Sequence, residues 1–586
     1  MRLDQFPVLW NSLSSLLGLS FVPSVDPLPA PANARWASSG PVKVNVDSLT
    51  LDANCFENEV LSKALERSRS HIARDRWVPF GSDLDVGALL KASENAPAVS
   101  TVCVNVGDVS ADLEMGVDES YELNVSYQGI TIDAQTVWGA LHALTTLEQI
   151  VIYPGHGTFV VEGPVEIKDK PLYRHRGLMV DTARNFYSID SLKRQIDALS
   201  LAKMNVFHWH LTDTQSWPIE VESYPEMTED AYSPREVYTA KDIRELVQYA
   251  KQRGVRVVPE LDLPGHSNSG WRQVNPDIIA CGDKPWEDVA VEPNPGQLEI
   301  TNPDTYKVLK NVYEDISALF GDSFFHVGFD EVNLNCYLTS PAVRKWLRKN
   351  GDAHDLVQYW VNQTLPIFRN RPDRKLIMWQ DSVLSKDISA KSIPQDIVLQ
   401  SWVGGLEVIR DMISRGYEVI ASSSEFVYLD CGFGGWVSND PRYDEPENPD
   451  PDTPNFNYGG DGGSWCGPYK SWQRIYSYNF AEGLSAQEQD RVLGAEAALW
   501  SEQADGTVSD GIVWPRTAAL GELLWSGNKD AKGSPRLQEM TSRILNFRER
   551  LVGRGINAQP LMPKFCVNNR NACDFVYPPD RDRKLI

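Results

Sequence analysis

The chain has 586 residues, 42% of them hydrophobic and 10% aromatic, which is enough for a large core. Its formal net charge of −24 argues against nucleic acid or an anionic membrane as a partner, because phosphates attract clustered lysine and arginine. No run of 18 or more apolar residues occurs, so no transmembrane helix is predicted. The composition favours a protein that acts on neutral ligands.

Residues 1–40 are predicted to be a signal-like segment followed by a Pro/Ala-rich spacer. Sequons at Asn124 and Asn362 are candidate glycosylation sites, which require a secretory compartment. The eight cysteines lack any CxxC pair, which argues against a zinc or redox site. They are Cys55, Cys103, Cys281, Cys336, Cys431, Cys466, Cys566 and Cys573. Together these features predict a secreted or otherwise extracytoplasmic protein.

Residues 41–167 are predicted to form a small α+β domain. The segments 42–46, 100–106 and 119–134 alternate apolar and polar residues, as half-buried strands do. Segment 136–151 has helical spacing instead, with Val137, Leu141, Leu144 and Leu147 on one face.

From Pro171 onward, short apolar runs alternate with helical patterns. Eight runs are candidate strands: 176–181, 204–211, 255–262, 324–331, 376–381, 397–402, 418–423 and 492–500. Ser188 is a predicted N-cap for one intervening helix, and Gly254 a predicted C′ residue for another. Buried strands alternating with helices predict an α/β fold, a (β/α)8 TIM barrel over residues 170–560, with a disulfide-stapled tail at 561–586. A doubly wound sheet is the competing fold, but no GxGxxG follows the first strand.

The ends of these strands are rich in carboxylates and tryptophans. They supply Asp181, Arg184, Asp213, Glu260, Asp262, His266, Asp330, Glu331, Trp379, Asp381, Trp402, Tyr428, Asp430, Trp500 and Glu502. Any single one has a plain explanation, since an Asp at a strand end is commonly solvated and a Trp commonly belongs to a core. The whole set indicates a carbohydrate pocket, in which aromatic faces stack on sugar rings and carboxylates bind hydroxyls. The sequence has no GxSxG elbow, Walker loop or HExxH pair.

Three blocks carry a specific resemblance. Residues 176–220, the segment "PELDLPGHS" (259–267) and the segment "HVGFDEVN" (326–333) strongly resemble the β-N-acetylhexosaminidases of glycoside hydrolase family 20. The match covers roughly residues 170–530, and 41–167 is similar to the α+β domain that precedes the family's barrel. One position departs from the family pattern: Phe329 stands where the family usually has a second glycine. A positive φ there would strain this residue.

The resemblance implies a function for the adjacent Asp330 and Glu331. From the residues alone, an Asp-Glu pair that caps the following helix is the favoured explanation, and only the resemblance reverses that preference. In the family, the substrate's own 2-acetamido oxygen is the nucleophile. By resemblance, Asp330 orients the acetamido group and stabilises its positive charge. Glu331 is then the general acid, and later the base that activates water.

Other strand-end residues acquire roles by the same resemblance. Arg184 and Glu502 are expected to bind sugar hydroxyls, and Tyr428 to donate to the acetamido oxygen. Trp379, Trp402 and Trp500 are expected to enclose the acetamido methyl and the sugar face, and Asp430 is a further candidate for sugar binding. Asp213 and His266 resemble a relay behind Glu331, and an ordinary loop histidine is the less favoured interpretation of His266. No cofactor and no metal are expected.

A long insertion rich in Gly, Pro and Asp occupies residues 432–470. Loops of this length are usually functional or disordered. Trp436, Trp465 and Trp472 could line a second sugar site or belong to a core. The resemblance implies four bridges, Cys55–Cys103, Cys281–Cys336, Cys431–Cys466 and Cys566–Cys573, and it allows a homodimer.

The sequence therefore predicts an exo-acting retaining glycosidase that removes terminal non-reducing β-linked N-acetylhexosamine from chitooligosaccharides or other glycans. Two alternatives remain open. One is a catalytically silent barrel that binds glycans. The other is a retaining glycosidase with a protein nucleophile, for which Glu502 would be the candidate.

Overall fold

The computed structural model describes residues 21–439, 465–569 and 572–574. The predicted signal-like segment up to residue 20, most of the 432–470 insertion and the end of the tail lie outside the described residues. The described chain forms two compact units, one of residues up to 111, 118–171 and 528 onward, the other of 112–117 and 172–527. In the sequence-based prediction the barrel extends to residue 560, whereas here the second unit ends at 527. The division into functional domains stays a prediction.

The strands of the small unit form two sheets, in the order β1-β10-β6-β7-β5-β3 and β4-β2-β9-β8. Its strands are β1 (Asn33–Trp36), β2 (Val42–Val44), β3 (Thr50–Leu51), β4 (Ala98–Val99), β5 (Thr101–Asp108), β6 (Tyr121–Ser126), β7 (Gly129–Thr136), β8 (Ile152–Gly155), β9 (Thr158–Val161) and β10 (Val165–Asp169). Its helices are α1 (Glu59–Asp75), α2 (Val86–Ser93), α3 (Val137–Ile150), α18 (Leu537–Gly553) and α19 (Lys564–Asn568).

The C-terminal helix α18 belongs to this unit for an electrostatic reason. Arg554 lies 2.9 Å from both Asp75 and Glu148, and Arg550 donates a hydrogen bond to the carbonyl of Gln149. Because the side chains of both acids are buried, their pairing with Arg554, the C-cap residue of α18, holds this end of the helix against the unit. The sequence analysis did not predict this contact.

The second unit is built around a closed barrel of eight parallel strands, which confirms the predicted fold. The barrel strands are β11 (His175–Asp181), β12 (Val206–His210), β13 (Arg256–Glu260), β16 (Phe324–His326), β17 (Lys375–Trp379), β18 (Val398–Ser401), β19 (Val419–Ala421) and β20 (Val492–Leu499). A short antiparallel pair, β14 (Ile279–Ala280) and β15 (Gln297–Leu298), lies between β13 and β16.

The helices of this unit follow the strands. They are α4 (Ile189–Leu201), α5 (Ala240–Lys251), α6 (Trp271–Val274), α7 (Trp286–Val289), α8 (Pro303–Ser317), α9 (Leu334–Thr339), α10 (Pro341–Asn350), α11 (Ala353–Phe368), α12 (Asp381–Leu384), α13 (Gly405–Ser414), α14 (Trp472–Tyr476), α15 (Ala486–Gln489), α16 (Ser509–Val513) and α17 (Arg516–Ser526). Ser188 caps α4, as predicted. Gly254 has φ 71°, but the C-cap of α5 is Gln252, so Gly254 lies one residue beyond C′ and the prediction was wrong by one position.

A layer of apolar side chains fills the barrel interior. Seven of the eight strands contribute one residue each to this layer: Val206, Val258, Phe324, Ile377, Val398, Ile420 and Leu493. Such layers make a barrel of this kind a packed core rather than a pore. Functional side chains are therefore expected at the ends of the strands. A polar side chain inside the barrel must find a hydrogen-bond partner there.

The structure contains all four expected disulfides, Cys55–Cys103, Cys281–Cys336, Cys431–Cys466 and Cys566–Cys573. Asn124 and Asn362, the two sequon asparagines, are both exposed. None of the described helices combines the length and the apolar character that crossing a membrane requires.

Candidate active site

A cavity of about 410 Å³ opens at the carboxyl ends of the barrel strands. Cavities of this size suit a small ligand such as one sugar unit. It is lined by Arg184, His266, Trp286, Val291, Glu292, Pro293, Asp330, Glu331, Trp379, Trp402, Tyr428, Asp430, Phe433, Gly434, Gly435, Trp436, Val437, Trp465, Trp500, Glu502 and Gln503. Every predicted catalytic and substrate-binding residue is in this set, and Asp213 lies directly behind it.

A tight turn after β16 brings the adjacent carboxylates Asp330 and Glu331 to the same cavity. Gly328, Phe329 and Glu331 all have positive φ, of 66°, 90° and 50°. Phe329 is strained, since a bulky residue at such a φ is an outlier that costs about 1–3 kcal/mol. Its side chain is 1% exposed, and burial of the ring offsets part of that strain. The pair does not cap the following helix, whose N-cap is Asn333.

Asp330 is buried beside a second carboxyl group, Asp262. Burial, followed by the charge of Asp262, raises the pKa of Asp330 well above its usual value. Asp330 Oδ1 is buried and has no hydrogen-bond partner among the described residues. A buried acceptor of this kind is unfavourable unless a ligand satisfies it. The site is therefore suited to a ligand that brings an N–H donor.

Glu331 ends a short relay. Its Oε2 lies 3.2 Å from His266 Nε2, and His266 Nδ1 lies 3.2 Å from Asp213 Oδ1. Burial opposes a charge on His266, but Asp213 and Asp262 raise its pKa well above the ordinary value. The side chain of Glu331 is 28% exposed, so it reaches the cavity while His266 is covered. His266 and Glu331 can thus share a proton at the cavity wall.

Arg184 is surrounded by acids. Its Nη1 lies 2.8 Å from Asp213, its Nη2 lies 2.7 Å from Glu292, and its guanidinium lies over the ring of Trp500. Burial opposes the charge of Arg184, but Asp213, Glu292 and Asp181 together raise its pKa well above the usual range. Arg184 is therefore a fixed cation on the cavity wall, and its fork of N–H groups suits vicinal oxygens.

Aromatic side chains form the other walls. Trp379 is 1% exposed and donates through Nε1 to Glu260, while Trp402 donates through Nε1 to Asp381 at 2.6 Å. Tyr428 packs against Trp465 and Trp500. Because the indole N–H groups are anchored, the ring positions are fixed before any ligand arrives.

Two further carboxyl groups on the wall favour their neutral form. Burial raises the pKa of Asp430 to about 7. Burial also raises the pKa of Glu502 well above its usual value, against the opposing effect of Arg184 and with a further increase from Glu292. Neutral carboxyl groups can both donate and accept hydrogen bonds, as sugar hydroxyls require.

Several lining residues were not predicted from the sequence, foremost Glu292. It lies in the loop between β14 and β15, which the Cys281–Cys336 disulfide also ties to α9. Nothing in the local pattern marks this loop as part of the site, because it has no periodicity and follows no barrel strand directly. Trp436 and Trp465 line the cavity and are 42% and 60% exposed. Trp472 is 5% exposed and belongs to the core, unlike the other two.

Close groups of histidines and acids raise the question of a metal. The described residues include several groups of three whose potential metal-ligand atoms lie within 4.8 Å of one another. One such group is His208, Glu260 and His326. Another includes Cys431 and Cys466, which are joined in a disulfide. In the histidine triplets, imidazole nitrogens face carboxylate oxygens, and hydrogen bonding accounts for such distances without an ion. The expectation of no metal and no cofactor stays a prediction.

A TIM barrel with carboxylates and aromatic walls at the carboxyl ends of its strands defines a glycoside hydrolase by fold and site. A family model described as "Glycosyl hydrolase family 20, catalytic domain" matches residues 173–528, and one described as "beta-acetyl hexosaminidase like" matches 27–150. The chain therefore belongs to glycosyl hydrolase family 20.

Similar proteins span nearly the whole chain. It is 50% identical to Beta-hexosaminidase 1 of Coccidioides posadasii, over 98% of this chain and 99% of that protein. It is 33% identical to a chitooligosaccharidolytic beta-N-acetylglucosaminidase of Bombyx mori, over 91% of this chain and 86% of that protein. Among solved structures, a chitobiase of Flavobacterium johnsoniae is 27% identical with a TM-score of 0.71, covering 91% of this chain and 73% of that one.

Proposed function

We propose that the chain is an exo-acting β-N-acetylhexosaminidase that removes terminal non-reducing N-acetylhexosamine by substrate-assisted catalysis, with chitooligosaccharides as its main substrates. The observation that carries the proposal is the pairing of Asp330 and Glu331 at one cavity. One is a buried acid whose Oδ1 has no donor within the described part of the chain, and the other is a partly exposed acid backed by His266. The chitooligosaccharidolytic names of the insect relatives support this substrate class.

In the first step the acetamido oxygen attacks the anomeric carbon, and the bond to the leaving oxygen breaks. Glu331 gives its proton to that oxygen, and a positive oxazolinium ring forms. The acetamido N–H donates to Asp330, whose carboxylate offsets the positive charge. In the second step Glu331 takes a proton from water, which attacks the anomeric carbon and opens the ring. The product keeps the β configuration, because the carbon is attacked twice from opposite faces.

The remaining wall residues bind and orient the sugar. Arg184 and Glu502 bind hydroxyls on one side, and Asp430 lies close enough to take part. Trp379, Trp402 and Trp500 enclose the acetamido methyl and the ring, and Tyr428 donates to the acetamido oxygen. Trp436 and Trp465 offer exposed aromatic faces at the mouth of the same cavity, which suits a second sugar unit.

The two alternatives are less well supported. A silent binding barrel would not need the relay from Asp213 through His266 to Glu331. A protein nucleophile such as Glu502 is disfavoured by the family, because its members use the acetamido group of the substrate as the nucleophile.

We also propose that the protein acts outside the cytoplasm. Four disulfides and two exposed sequon asparagines support a secreted glycoprotein with a signal segment within residues 1–40. No nucleic acid or membrane partner is expected, and the homodimer allowed by the resemblance stays a prediction.

A panel of aryl glycosides tests the central proposal. The purified protein should hydrolyse aryl N-acetyl-β-glucosaminides and barely react with aryl β-glucosides, which lack the nucleophilic acetamido group. Comparable rates on both classes would contradict substrate assistance. Release of single sugars from the non-reducing end of chitotetraose would support exo action, whereas release of internal fragments would contradict it.

A further inference from the structure

Polar residues occupy the barrel interior beneath the cavity, where a plain apolar core would be expected. The interior chain comprises Glu496 on β20, His208 and His210 on β12, and Glu260 on β13, each at most 2% exposed. Burying charged groups is unfavourable unless they are paired or used. Nothing in the proposed mechanism so far requires them.

An unbroken path of close polar contacts joins Glu260, one member of this interior chain, to Glu331. Glu260 Oε2 lies 2.8 Å from His210 Nδ1, and His210 Nε2 lies 2.9 Å from Asp213 Oδ2. Asp213 Oδ1 lies 3.2 Å from His266 Nδ1, and His266 Nε2 lies 3.2 Å from Glu331 Oε2. Carboxylates and imidazoles alternate along the whole path, so a change of charge at Glu260 has a route to the acid.

Counting protons along the path shows the state of His210. Its two ring nitrogens each face a carboxylate oxygen, and a neutral imidazole has only one N–H to donate. With both carboxylates ionised, His210 must carry two protons. In agreement, Glu260 and Asp213 overcome the effect of burial and raise the pKa of His210 well above the ordinary value.

The other charged groups near His210 do not change this count. Asp181 at the end of β11 also favours a cation on His210, and an oxygen of Asp262 after β13 lies within 4.8 Å of the imidazole. The ring of Trp500 lies edge-on to the imidazole. His208 Nε2 and His326 Nδ1 lie 3.0 and 2.9 Å from the oxygens of Glu260 and share its charge.

Glu260 also contacts the wall of the cavity. Its second oxygen, Oε1, accepts a hydrogen bond from Trp379 Nε1 at 2.8 Å. One buried carboxylate therefore holds both the proposed acetamido wall and the far end of the relay. This contact fixes which oxygen of Glu260 faces His210.

We propose that Glu260 is a positioning residue for acid catalysis by Glu331. Its charge keeps His210 an imidazolium, and that cation, with Arg184, offsets the charge of Asp213. Because the charge of Asp213 is partly offset, Asp213 stabilises a cation on His266 less strongly. The proton shared by His266 and Glu331 then lies more often on Glu331, where catalysis needs it. This inference rests on the proposed role of Glu331 as the acid.

Glu260→Gln is the test variant, because it removes the charge and can keep the hydrogen bonds to Trp379 and His210. The amide oxygen can take the Trp379 N–H, which places the NH2 group where it donates to His210 Nδ1. His210 then stays neutral and still donates to Asp213. Glu496→Gln is the matched control: it is the same change in the same core, but Glu496 contacts His208 and His175, not His210.

The expected loss depends on the leaving group. General acid catalysis contributes ~10²–10⁴-fold to the rate, and part of that contribution should be lost when the proton lies on His266 and not on Glu331. For chitobiose, Glu260→Gln should lower kcat/KM by about 10- to 100-fold. For a 2,4-dinitrophenyl N-acetylglucosaminide, whose leaving group needs little protonation, Glu260→Gln should lower kcat/KM by no more than about threefold. The control Glu496→Gln should lower kcat/KM by no more than about threefold on either substrate. Equal losses on both substrates, or equal losses in the two variants, would overturn the proposal.

A double variant separates this effect from a general disturbance of the core. Once Glu331→Gln has removed the acid, adding Glu260→Gln should lower chitobiose hydrolysis by less than about threefold, since coupled residues are not additive. Additive losses would overturn the proposal. If Glu331→Gln itself showed no dependence on the leaving group, the proposed function would fail instead, so the two failures are distinguishable.

Neutron diffraction of the native protein gives a readout that does not depend on whether the variants fold. At neutral pH both ring nitrogens of His210 should carry deuterium. A single deuteron on that ring would mean that Glu260 does not hold an imidazolium, and the proposal would be wrong.

Discussion

His266 lies behind Glu331, with 3.2 Å between Nε2 and Oε2, and the same nitrogen is 3.8 Å from Asp330 Oδ2. One imidazole nitrogen thus faces both proposed catalytic carboxylates. Asp330 is buried against Asp262, whereas the side chain of Glu331 is 28% exposed to the cavity. The two carboxyl groups therefore differ in their surroundings: Asp330 lies against another acid, whereas Glu331 faces the cavity with a histidine behind it.

Glu331→Gln should remove the proton donor and keep the shape of the side chain. We expect a loss of kcat of ~10²–10⁴-fold for chitobiose, because the leaving sugar oxygen must be protonated. The loss should be much smaller for a nitrophenyl substrate, whose leaving group departs without much protonation. Steady-state rates on the two substrates measure this. Equal losses on both would rule out Glu331 as the acid.

Trp436→Ala tests the second sugar unit. The ring is 42% exposed at the cavity mouth, so its removal should not disturb the core. We expect KM for chitotriose to rise by about tenfold, which corresponds to ~1.4 kcal/mol of lost contact. KM for a methylumbelliferyl N-acetylglucosaminide, whose only sugar occupies the inner part of the cavity, serves as the control and should change little. A rise shared by both substrates would instead indicate damage to the inner site.

The stability of the fold should decline as the pH rises from mildly acidic to basic values. Burial raises the pKa of Asp430 to about 7, and Glu496 and Glu260 raise the pKa of His208 to about 9 in spite of burial. At a pH between the pKa of a group in the unfolded chain and its pKa in the native state, the native state holds a proton that the unfolded chain has lost. Stability therefore falls with pH in both windows, about 3.9 to 7 for the first and 6.5 to 9 for the second.

Thermal unfolding midpoints measured from pH 4 to 9 check this expectation. Asp430→Asn should flatten the decline below pH 7, and His208→Gln should flatten it above pH 6.5. Below about pH 4 a different loss should appear, because His210 and other neighbouring cations hold the pKa of Glu260 well below its usual value despite burial. A midpoint that rose steadily from pH 5 to 9 would contradict the assignment.

The disulfides should leave no free thiol in the denatured, non-reduced protein. Cys281 and Cys336 are 55 residues apart, and loop entropy predicts a loss of about 4 kcal/mol when both are changed to Ser. The control pair, Cys566 and Cys573, closes 7 residues and should contribute about 2 kcal/mol. Denaturant unfolding and thiol titration measure these values. Two free thiols per chain would refute the oxidised state.

Periodicity in the sequence was sufficient to predict the barrel. A buried parallel strand needs a short apolar run, and all eight runs are strands. Asp330 and Glu331 were also visible, because charge at the end of such a run is unusual. Glu292 was not, since its loop reaches the cavity through tertiary folding that leaves no local pattern. Nor could the sequence separate the buried Trp472 from the exposed Trp465, because composition does not report burial.

The inward direction of Glu260 was equally hidden. Buried parallel strands are apolar on both faces, so the sequence does not show which side a polar residue faces. Glu260 was visible only as an acid at a strand end, and its contacts with His210 and Trp379 depend on the register of three strands. The strain at Phe329 followed from an expected glycine, but its φ of 90° required the backbone.

Asp330→Asn separates substrate assistance from a protein nucleophile. The change keeps the volume of the side chain and removes the charge that would offset the oxazolinium. A hydrogen bond to a charged group is worth roughly 1.5–3 kcal/mol, so the rate should fall by roughly 10- to 150-fold or more. The native protein should bind a thiazoline analogue of the cyclised intermediate far more tightly than substrate. The variant should lose much of that advantage, while the affinity for N-acetylglucosamine itself changes less. The opposing mechanism predicts a covalent adduct with a fluorosugar on a carboxylate, most plausibly Glu502, and detection of that adduct by mass spectrometry would refute the role proposed for Asp330.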